Sequence, residues 1–458
     1  MPLTRMEIKE KTTIHDICVH LRDLAKNEDD IFVLSFTAPK VTAHRIYNKG
    51  DGREGIEIKD FSKLKNIIFT DTVNKLRTNL IDFMKANKFN EKNGDGELII
   101  AFDGRTRTFN MIGLHNTNLG PGLGGLREKD YSNFDSMATD TLRLAKGMTY
   151  KSAIAQTRTG GGKATRTIPK GIRKEANLGT ARICNFINQD RLKRNVGIYV
   201  VAEDSNTSCA DIDQMDPICP NNTCKSLALG GTGNPSPITA LGVYHAAKKA
   251  AEFAFKDKTL KDKVVMVSGV GEVGYEVLKN FVANDVKKVI CAEMTAERIK
   301  WVKDQLERAG QADKVKFMVY TKEELISQKF LHDLANEIDI FAPCALGRSI
   351  NDSNINAIKD TRLKMICGAE NNQLADEEKH GKMLHDMGIL YVPDFVVNGG
   401  GLIHCAEELD GRMFLLSSSI KNATNIENTV KEVLEMSQKE DIPTYLAANK
   451  IAEKRFLK

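Results

Sequence analysis

Residues 264–277 read VVMVSGVGEVGYEV, an apolar, β-branched run that breaks at a glycine turn and reopens as a helix. That order is a βα unit of the kind that binds dinucleotides, with the G-x-G-x-x-G pattern at Gly269, Gly271 and Gly274. Each glycine has its own reason. Gly269 permits the tight turn, Gly271 lets backbone approach a pyrophosphate, and Gly274 allows helix and strand to pack closely. Val270, Glu272 and Val273 complete the cofactor-binding turn, and the free N–H groups at the start of the helix hold the phosphates. The next apolar run, KKVICAE, ends at Glu293, 24 residues after Gly269. A carboxylate at that interval bonds the adenosine ribose hydroxyls and repels a 2′-phosphate, so NAD is expected over NADP.

Outward from this unit the pattern is strand alternating with helix, through EIDIFAPCALG (337–347), LKMICGAENNQL (363–374) and GILYVPDFVVNGGG (388–401). Upstream, TGNPSPITALGVYHAAKKAAEFAF (232–255) opens a long helix, with proline in the first turn and serine or threonine expected as the cap. Strands are predicted at GELIIAFDG (96–104), at TFNMIGL (108–114), which runs into a glycine-rich loop, and at VGIYVVAED (196–204). Between them, NFDSMATDTLRLAKGMTYKSAIA (133–155) has helical spacing at Met137, Leu142, Leu144 and Ala145 that should end near Gly147. The tail from about 420 reads as helical. Residues 1–95 carry helical periodicity at 72–89 and turn clusters, but no chemical constellation. They read as an extra region packed on the body or as an oligomer contact.

Composition narrows the field. A chain of 458 residues with 41% hydrophobic and 28% charged residues is an ordinary globular protein of two to three domains. The net charge of +5, from 66 basic and 61 acidic residues, is small and dispersed, giving no case for nucleic acid or membrane as partner. No run is long and apolar enough to span a bilayer, and the N-terminus lacks a signal-peptide core, so the cytoplasm is the expected compartment. Of nine cysteines, Cys209, Cys219 and Cys224 cluster without close C-x-x-C pairs; they are expected to be loop cysteines, and no metal site is expected.

A second stretch raises a chemical question. RTGGGKAT (158–165) places three glycines before Lys163, without the G-x-x-x-x-G-K-[ST] ending of a phosphate loop. With the phosphate role filled elsewhere, Lys163 is available for chemistry, and the glycines are expected to clear room for substrate. Lys151 and Asp204 also sit among small or apolar residues, where a charge is costly unless used. Of two lysines near one pocket, one grips a substrate carboxylate; the other, crowded by its neighbour's charge and partly desolvated, loses its proton near neutrality and serves as a base. The bland alternative is a set of exposed lysines and structural ion pairs.

From about residue 110 to the C-terminus the chain resembles the glutamate/leucine/phenylalanine/valine dehydrogenases, most closely the leucine branch. The matching stretches are HNTNLGPGLGGLR, LRLAKGMTYKSA, GGGKA, AEDSNTS, GNPSPITALGVY, SGVGEVG, DIFAPCALG, GAENNQL and PDFVVNGGGLI. The resemblance implies an α/β architecture: a substrate domain and a Rossmann-type NAD-binding domain separated by a cleft. The expected divisions are 1–95 (an extension), 96–235 (substrate, dimerisation type), 236–400 (NAD) and 401–458 (helices returning toward the cleft). It implies that Lys163 is the catalytic lysine, Lys151 the ligand of the α-carboxylate, Asp204 the proton relay and Asn372 a substrate contact. Thr239 would contact the nicotinamide side, and Asn398 would lie where nicotinamide and substrate meet. Leu123, Gly124, Ala202, Leu402 and Cys405 fall at pocket positions, all uncharged, which favours an apolar amino acid over glutamate. Leu402 and Cys405 stand where leucine enzymes carry valine, so phenylalanine or tryptophan stays open beside leucine. The implied activity is reversible oxidative deamination of the amino acid to its 2-oxo acid and ammonia by a homo-oligomer. The other class is a catalytically idle homologue, whose signature, loss of Lys151, Lys163 or Asp204, is absent.

Overall fold

The computed structural model describes residues 18–19, 22, 31–37, 40–48, 54–60 and 96–457, apart from 193–198, 285, 322, 325–328, 346 and 411–415. The helical periodicity at 72–89 lies outside them. The chain divides into two compact units, residues 1–233 with 455–458, and residues 234–454.

The first unit is built on an eight-stranded sheet in the order β3-β2-β1-β4-β5-β7-β6-β8. Its strands are β1 Ile31–Thr37, β2 Lys40–Asn48, β3 Glu54–Asp60, β4 Glu97–Asp103, β5 Thr108–Leu114, β6 Gly122–Glu128, β7 Gly160–Thr167 and β8 Tyr199–Glu203. The five pairings from β3 to β7 are antiparallel, whereas β7, β6 and β8 run parallel. β1 pairs with β4 from Ile31↔Asp103 to Thr37↔Glu97. The strands contributed by the first 95 residues therefore continue the same sheet.

Helix Phe134–Ala155 packs on β7 and starts at Asn133, whose side chain accepts from the Ser136 N–H at 2.8 Å. It does not stop near Gly147 as the sequence suggested; it runs to Gln156, which caps it in the left-handed conformation at φ 56°. Gly147 is exposed and a Cβ there would meet nothing within 4 Å, so this glycine is a weak point the helix tolerates, supported by its buried opposite face.

The second unit holds a wholly parallel six-stranded sheet in the order β11-β10-β9-β12-β13-β14. These strands are β9 Val264–Ser268, β10 Lys288–Glu293, β11 Val315–Val319, β12 Ile340–Pro343, β13 Met365–Ile366 and β14 Leu390–Tyr391. β9 is buried throughout, the mark of a strand covered on both faces. Strand order reverses beside β9, and such a switch point leaves a crevice at the carboxyl ends of β9 and β12. Helix Ser236–Ala254 opens as expected with proline in its first turn. Its capping oxygen, however, comes from Asn234, which accepts from the Ser236 N–H at 2.9 Å, while the Thr239 hydroxyl donates to the Pro235 carbonyl at 3.0 Å.

Candidate active site

Three adjacent parallel strands bring the charged groups of the first unit together. β7 carries Lys163, β6 carries Arg127, and Asp204 follows the end of β8. The Lys163 ammonium lies 2.9 Å from Asp204 Oδ2, and Arg127 Nε donates to that same oxygen at 3.0 Å. The Asp204 backbone is fixed by Thr207, whose hydroxyl accepts from the Asp204 N–H at 2.8 Å and donates to the Leu126 carbonyl at 2.8 Å. The Lys163 side chain is only 5% exposed.

Burial pushes the Lys163 ammonium below its ordinary value; Asp204 pulls it back up, Arg127 pushes it down, and the net direction is downward. Burial alone would raise the Asp204 carboxyl, but Lys163 and Arg127 outweigh it and hold it at about 2. The cation crowding Lys163 is thus the Arg127 guanidinium, where the sequence reading looked to a second lysine. Lys151 is half-buried near the end of helix Phe134–Ala155.

The glycines do something other than expected. A Cβ on Gly160 would lie 2.4 Å from the Asn116 carbonyl, one on Gly161 2.0 Å from Thr149 Oγ1, and one on Gly162 2.8 Å from the Gly122 carbonyl. The space they vacate is filled by the protein's own backbone and helix, not reserved for a ligand. Gly124 belongs to the same arrangement, since its Cβ would lie 1.7 Å from the Gly162 carbonyl. Leu123 and Ala202 are buried beside it on β6 and β8. The cysteine cluster disperses: Cys209 is half-buried near Glu203, Cys219 packs with Cys184 in the core, and Cys224, expected to be an incidental loop cysteine, is buried with its sulfur in a disulfide.

In the second unit the glycine turn has the form its sequence dictates. Gly269 sits at φ 85°, a Cβ on Gly274 would lie 1.9 Å from the Gly269 carbonyl, and Gly271 faces open space. Gly271 is also the N-cap of helix Glu272–Ala283, with no side chain capping its N–H groups among the described residues. A pyrophosphate fits such a turn, open at Gly271 and set at a helix N-terminus. Val270 is buried behind the turn, and Glu272 and Val273 begin the helix. The Glu293 carboxylate braces it, accepting from the Val270 N–H at 3.0 Å and the Met294 N–H at 2.6 Å. Arg298 clamps the other side, donating to the carbonyls of Val270 at 2.7 Å and Gly271 at 3.0 Å. Its guanidinium lies 4.2 Å over the ring of Trp301.

Asn398 is buried; its amide donates to the Ala369 carbonyl at 3.1 Å and to Asn371 Oδ1 at 2.8 Å, while its own Oδ1 has no partner among the described residues. An orphaned buried acceptor suits a ligand amide. Asn372 adopts φ 55°, with its N–H donating to Asp394. Thr239 stands against Gly401, whose Cβ would lie 2.4 Å from the threonine hydroxyl. Leu402 and Cys405 are buried one turn apart on helix Gly400–Ala406, with the Cys405 sulfur in a disulfide. Arg127 and Arg298 are charged groups that sequence reading missed. Arg127 closes the motif GLGGLR, and nothing local in that motif shows which carboxylate it meets.

Residues 230–458 match the Glutamate/Leucine/Phenylalanine/Valine dehydrogenase model and residues 100–217 match that family's dimerisation domain. The leucine dehydrogenase of Thermoactinomyces intermedius is 38% identical over 372 residues, covering 81% of this chain and 93% of that protein. The leucine dehydrogenase of Bacillus subtilis is 38% identical over 379 residues, covering 81% and 94%. The crystal structure of L-tryptophan dehydrogenase from Nostoc punctiforme superposes with a TM-score of 0.60 at 30% identity, covering 77% of this chain and 92% of that one. With these sequence matches, the paired charges on β6–β8 and the glycine turn after β9, the chain belongs to the Glutamate/Leucine/Phenylalanine/Valine dehydrogenase family and is an amino-acid dehydrogenase.

Proposed function

We propose that the chain carries out the NAD-dependent, reversible oxidative deamination of an apolar L-amino acid, leucine or another branched-chain acid foremost. The observation that carries the chemistry is the buried Lys163–Asp204 pair with its lowered lysine. In this reading Lys151 holds the substrate α-carboxylate and Asn372 the substrate. NAD, when bound, would supply the acceptor for the hydride that leaves Cα. Neutral Lys163 removes a proton from the water that adds to the resulting iminium carbon. Asp204, a carboxylate at rest, relays the proton that Lys163 has taken to the nitrogen, and ammonia leaves with the 2-oxo acid. Balanced, amino acid, NAD and water become oxo acid, ammonium, NADH and a proton.

Gly269, Val270, Gly271, Glu272, Val273 and Gly274 would hold the pyrophosphate, Glu293 the adenosine ribose, and Thr239 and Asn398 the nicotinamide. Glu293 favours NAD because its charge opposes a 2′-phosphate. Leucine is favoured by the likeness to leucine dehydrogenases and by uncharged Leu123, Gly124, Ala202 and Leu402. Leu402 and the likeness to a tryptophan dehydrogenase support an aromatic acid as the second reading. The match of 100–217 to a dimerisation domain supports a homo-oligomer. The domain division 1–95, 96–235, 236–400 and 401–458 is part of the same proposal.

The test is NADH formation with leucine, isoleucine, valine, phenylalanine, tryptophan and glutamate, each with NAD and NADP. Leucine with NAD is expected to give the highest kcat/KM, and glutamate none. Preference for tryptophan or phenylalanine selects the second reading; no turnover on any substrate defeats both. A further expectation concerns the clamp on the turn. Arg298→Ala should raise the KM for NAD about tenfold, the loss of one good charged contact of ~1.4 kcal/mol, with the amino-acid KM unchanged. Trp301 is the single tryptophan of the chain, so its emission reports the turn directly.

A further inference from the structure

Arg127 is joined to two carboxylates at once. Its Nε donates to Asp204 at 3.0 Å, and its Nη1 reaches Asp140 Oδ2 at 3.2 Å, on helix Phe134–Ala155. The Tyr131 hydroxyl donates to that same Asp140 oxygen at 2.8 Å. All the groups are largely shielded: the side chains of Arg127, Asp140 and Asp204 are 21%, 13% and 24% exposed. A guanidinium in this setting is a rigid fork with fixed charge, unable to release its proton.

We propose that Arg127 is a positioning residue. It binds the Asp204 oxygen that also takes Lys163, and through its bridge to Asp140 it fixes how much positive charge the Lys163 amine faces. The inference rests on the reading of Lys163 as the base and deepens it. Because Arg127 and Lys163 share Asp204 Oδ2, the carboxylate is pinned through that oxygen. Burial works against the Arg127 charge, but Asp204 and Asp140 outweigh it and hold the guanidinium above its ordinary value. It is therefore a permanent cation, and it disfavours a second one at Lys163.

The charged groups acting on Lys163 have opposite signs. Asp204 and Asp140 favour the ammonium, whereas Arg127 opposes it. Tyr131 acts on Asp140, and burial with Asp140 pushes its phenol up. The helix that packs on β7 also carries Lys151 and Lys146, the latter facing His115, whose imidazole is lowered by burial and by Lys146 to about 4. The signs give the test its direction. Without Arg127 the Lys163 amine keeps its proton to higher pH; without Asp140 it loses the proton at lower pH.

The experiment is the pH profile of kcat for the full-length wild type, Arg127→Met, Arg127→Lys and Asp140→Asn. The ascending limb is expected to move up by about one pH unit in Arg127→Met and to stay near wild type in Arg127→Lys, which keeps the charge. It is expected to move down in Asp140→Asn. In parallel, the Lys163 side chain is titrated by NMR in protein carrying 13C at lysine Cε, its signal assigned with Lys163→Met. That readout needs no turnover, so it stands even if the wild type oxidises none of the amino acids. A folded Arg127→Met protein with limb and Lys163 midpoint both unmoved overturns the proposal, as does a shift in the same direction in all three variants. Should Arg127→Met not fold, Asp140→Asn decides: a downward shift supports the assignment and no shift overturns it.

Discussion

Lys163→Ala is expected to lower kcat by about a thousandfold or more while leaving NAD affinity within about twofold. Removing a general base costs on the order of 10²–10⁴, and here the same change also strips Asp204 of its 2.9 Å partner. The informative companion is Lys163→Arg. A guanidinium keeps the positive charge beside Asp204 but cannot become neutral at any working pH. If Lys163 only supplied charge, Lys163→Arg would retain much of the activity; if it takes a proton, both variants are dead. The wild-type rate should rise with pH through the lowered lysine value, since only the neutral amine works. Stability follows the same sign. Between the folded and unfolded lysine values the native state holds fewer protons than the unfolded chain, so Lys163 costs stability below that window and the cost fades as pH rises. Asp204 behaves oppositely: lowered from 3.8 to about 2, it contributes stability present above 3.8 and lost as pH falls through 2. Stopped-flow turnover and equilibrium NAD titration of both variants check the first pair of expectations, and acid titration of folding checks the last.

What could be read in advance divides along a physical line. The turn at Gly269–Gly274 was legible because each requirement is local: a positive φ at one position, open space at the next, and a Cβ forbidden by a carbonyl 1.9 Å away at the third. Lys163 and Asp204 were placed as partners by family likeness, since they lie 41 residues apart and only the strand order β7-β6-β8 brings them to 2.9 Å. That order also hid Arg127. The residues before it are glycines and leucine, and its meeting with Asp204 depends on β6 pairing with β8. The strands β1–β3 went unread for a related reason: IFVLSFT at 31–37 is a strand-like run, but its partner β4 begins 60 residues after β1 ends. Helix Phe134–Ala155 outran its glycine because packing on one face, not propensity at one position, decides where a helix ends.

Gly161→Ala is expected to cost about 3 kcal/mol of stability, a large penalty for a single methyl group. The added Cβ would lie 2.0 Å from Thr149 Oγ1, 2.3 Å from the Thr149 nitrogen and 2.5 Å from the Ala145 carbonyl. The hydroxyl can rotate; the two backbone atoms cannot, so helix and strand must separate. Separation would also break the 3.0 Å contact between Thr149 and His115 Nδ1, and strain the pair of 2.9 Å backbone bonds that Gly161 makes to His115 and Asn116. Lys163 lies two residues along the same strand, and a displacement of about 1 Å there is worth roughly a hundredfold in turnover. Gly147→Ala is the control in the same helix. It is exposed, its Cβ meets nothing within 4 Å, and it should gain about 0.5–1 kcal/mol. Urea unfolding of the two variants separates the packing account from the alternative that the glycines make room for substrate. On that alternative, Gly161→Ala unfolds at the wild-type urea midpoint and raises only the amino-acid KM. On the packing account the midpoint falls first, and the two alanines move it in opposite directions.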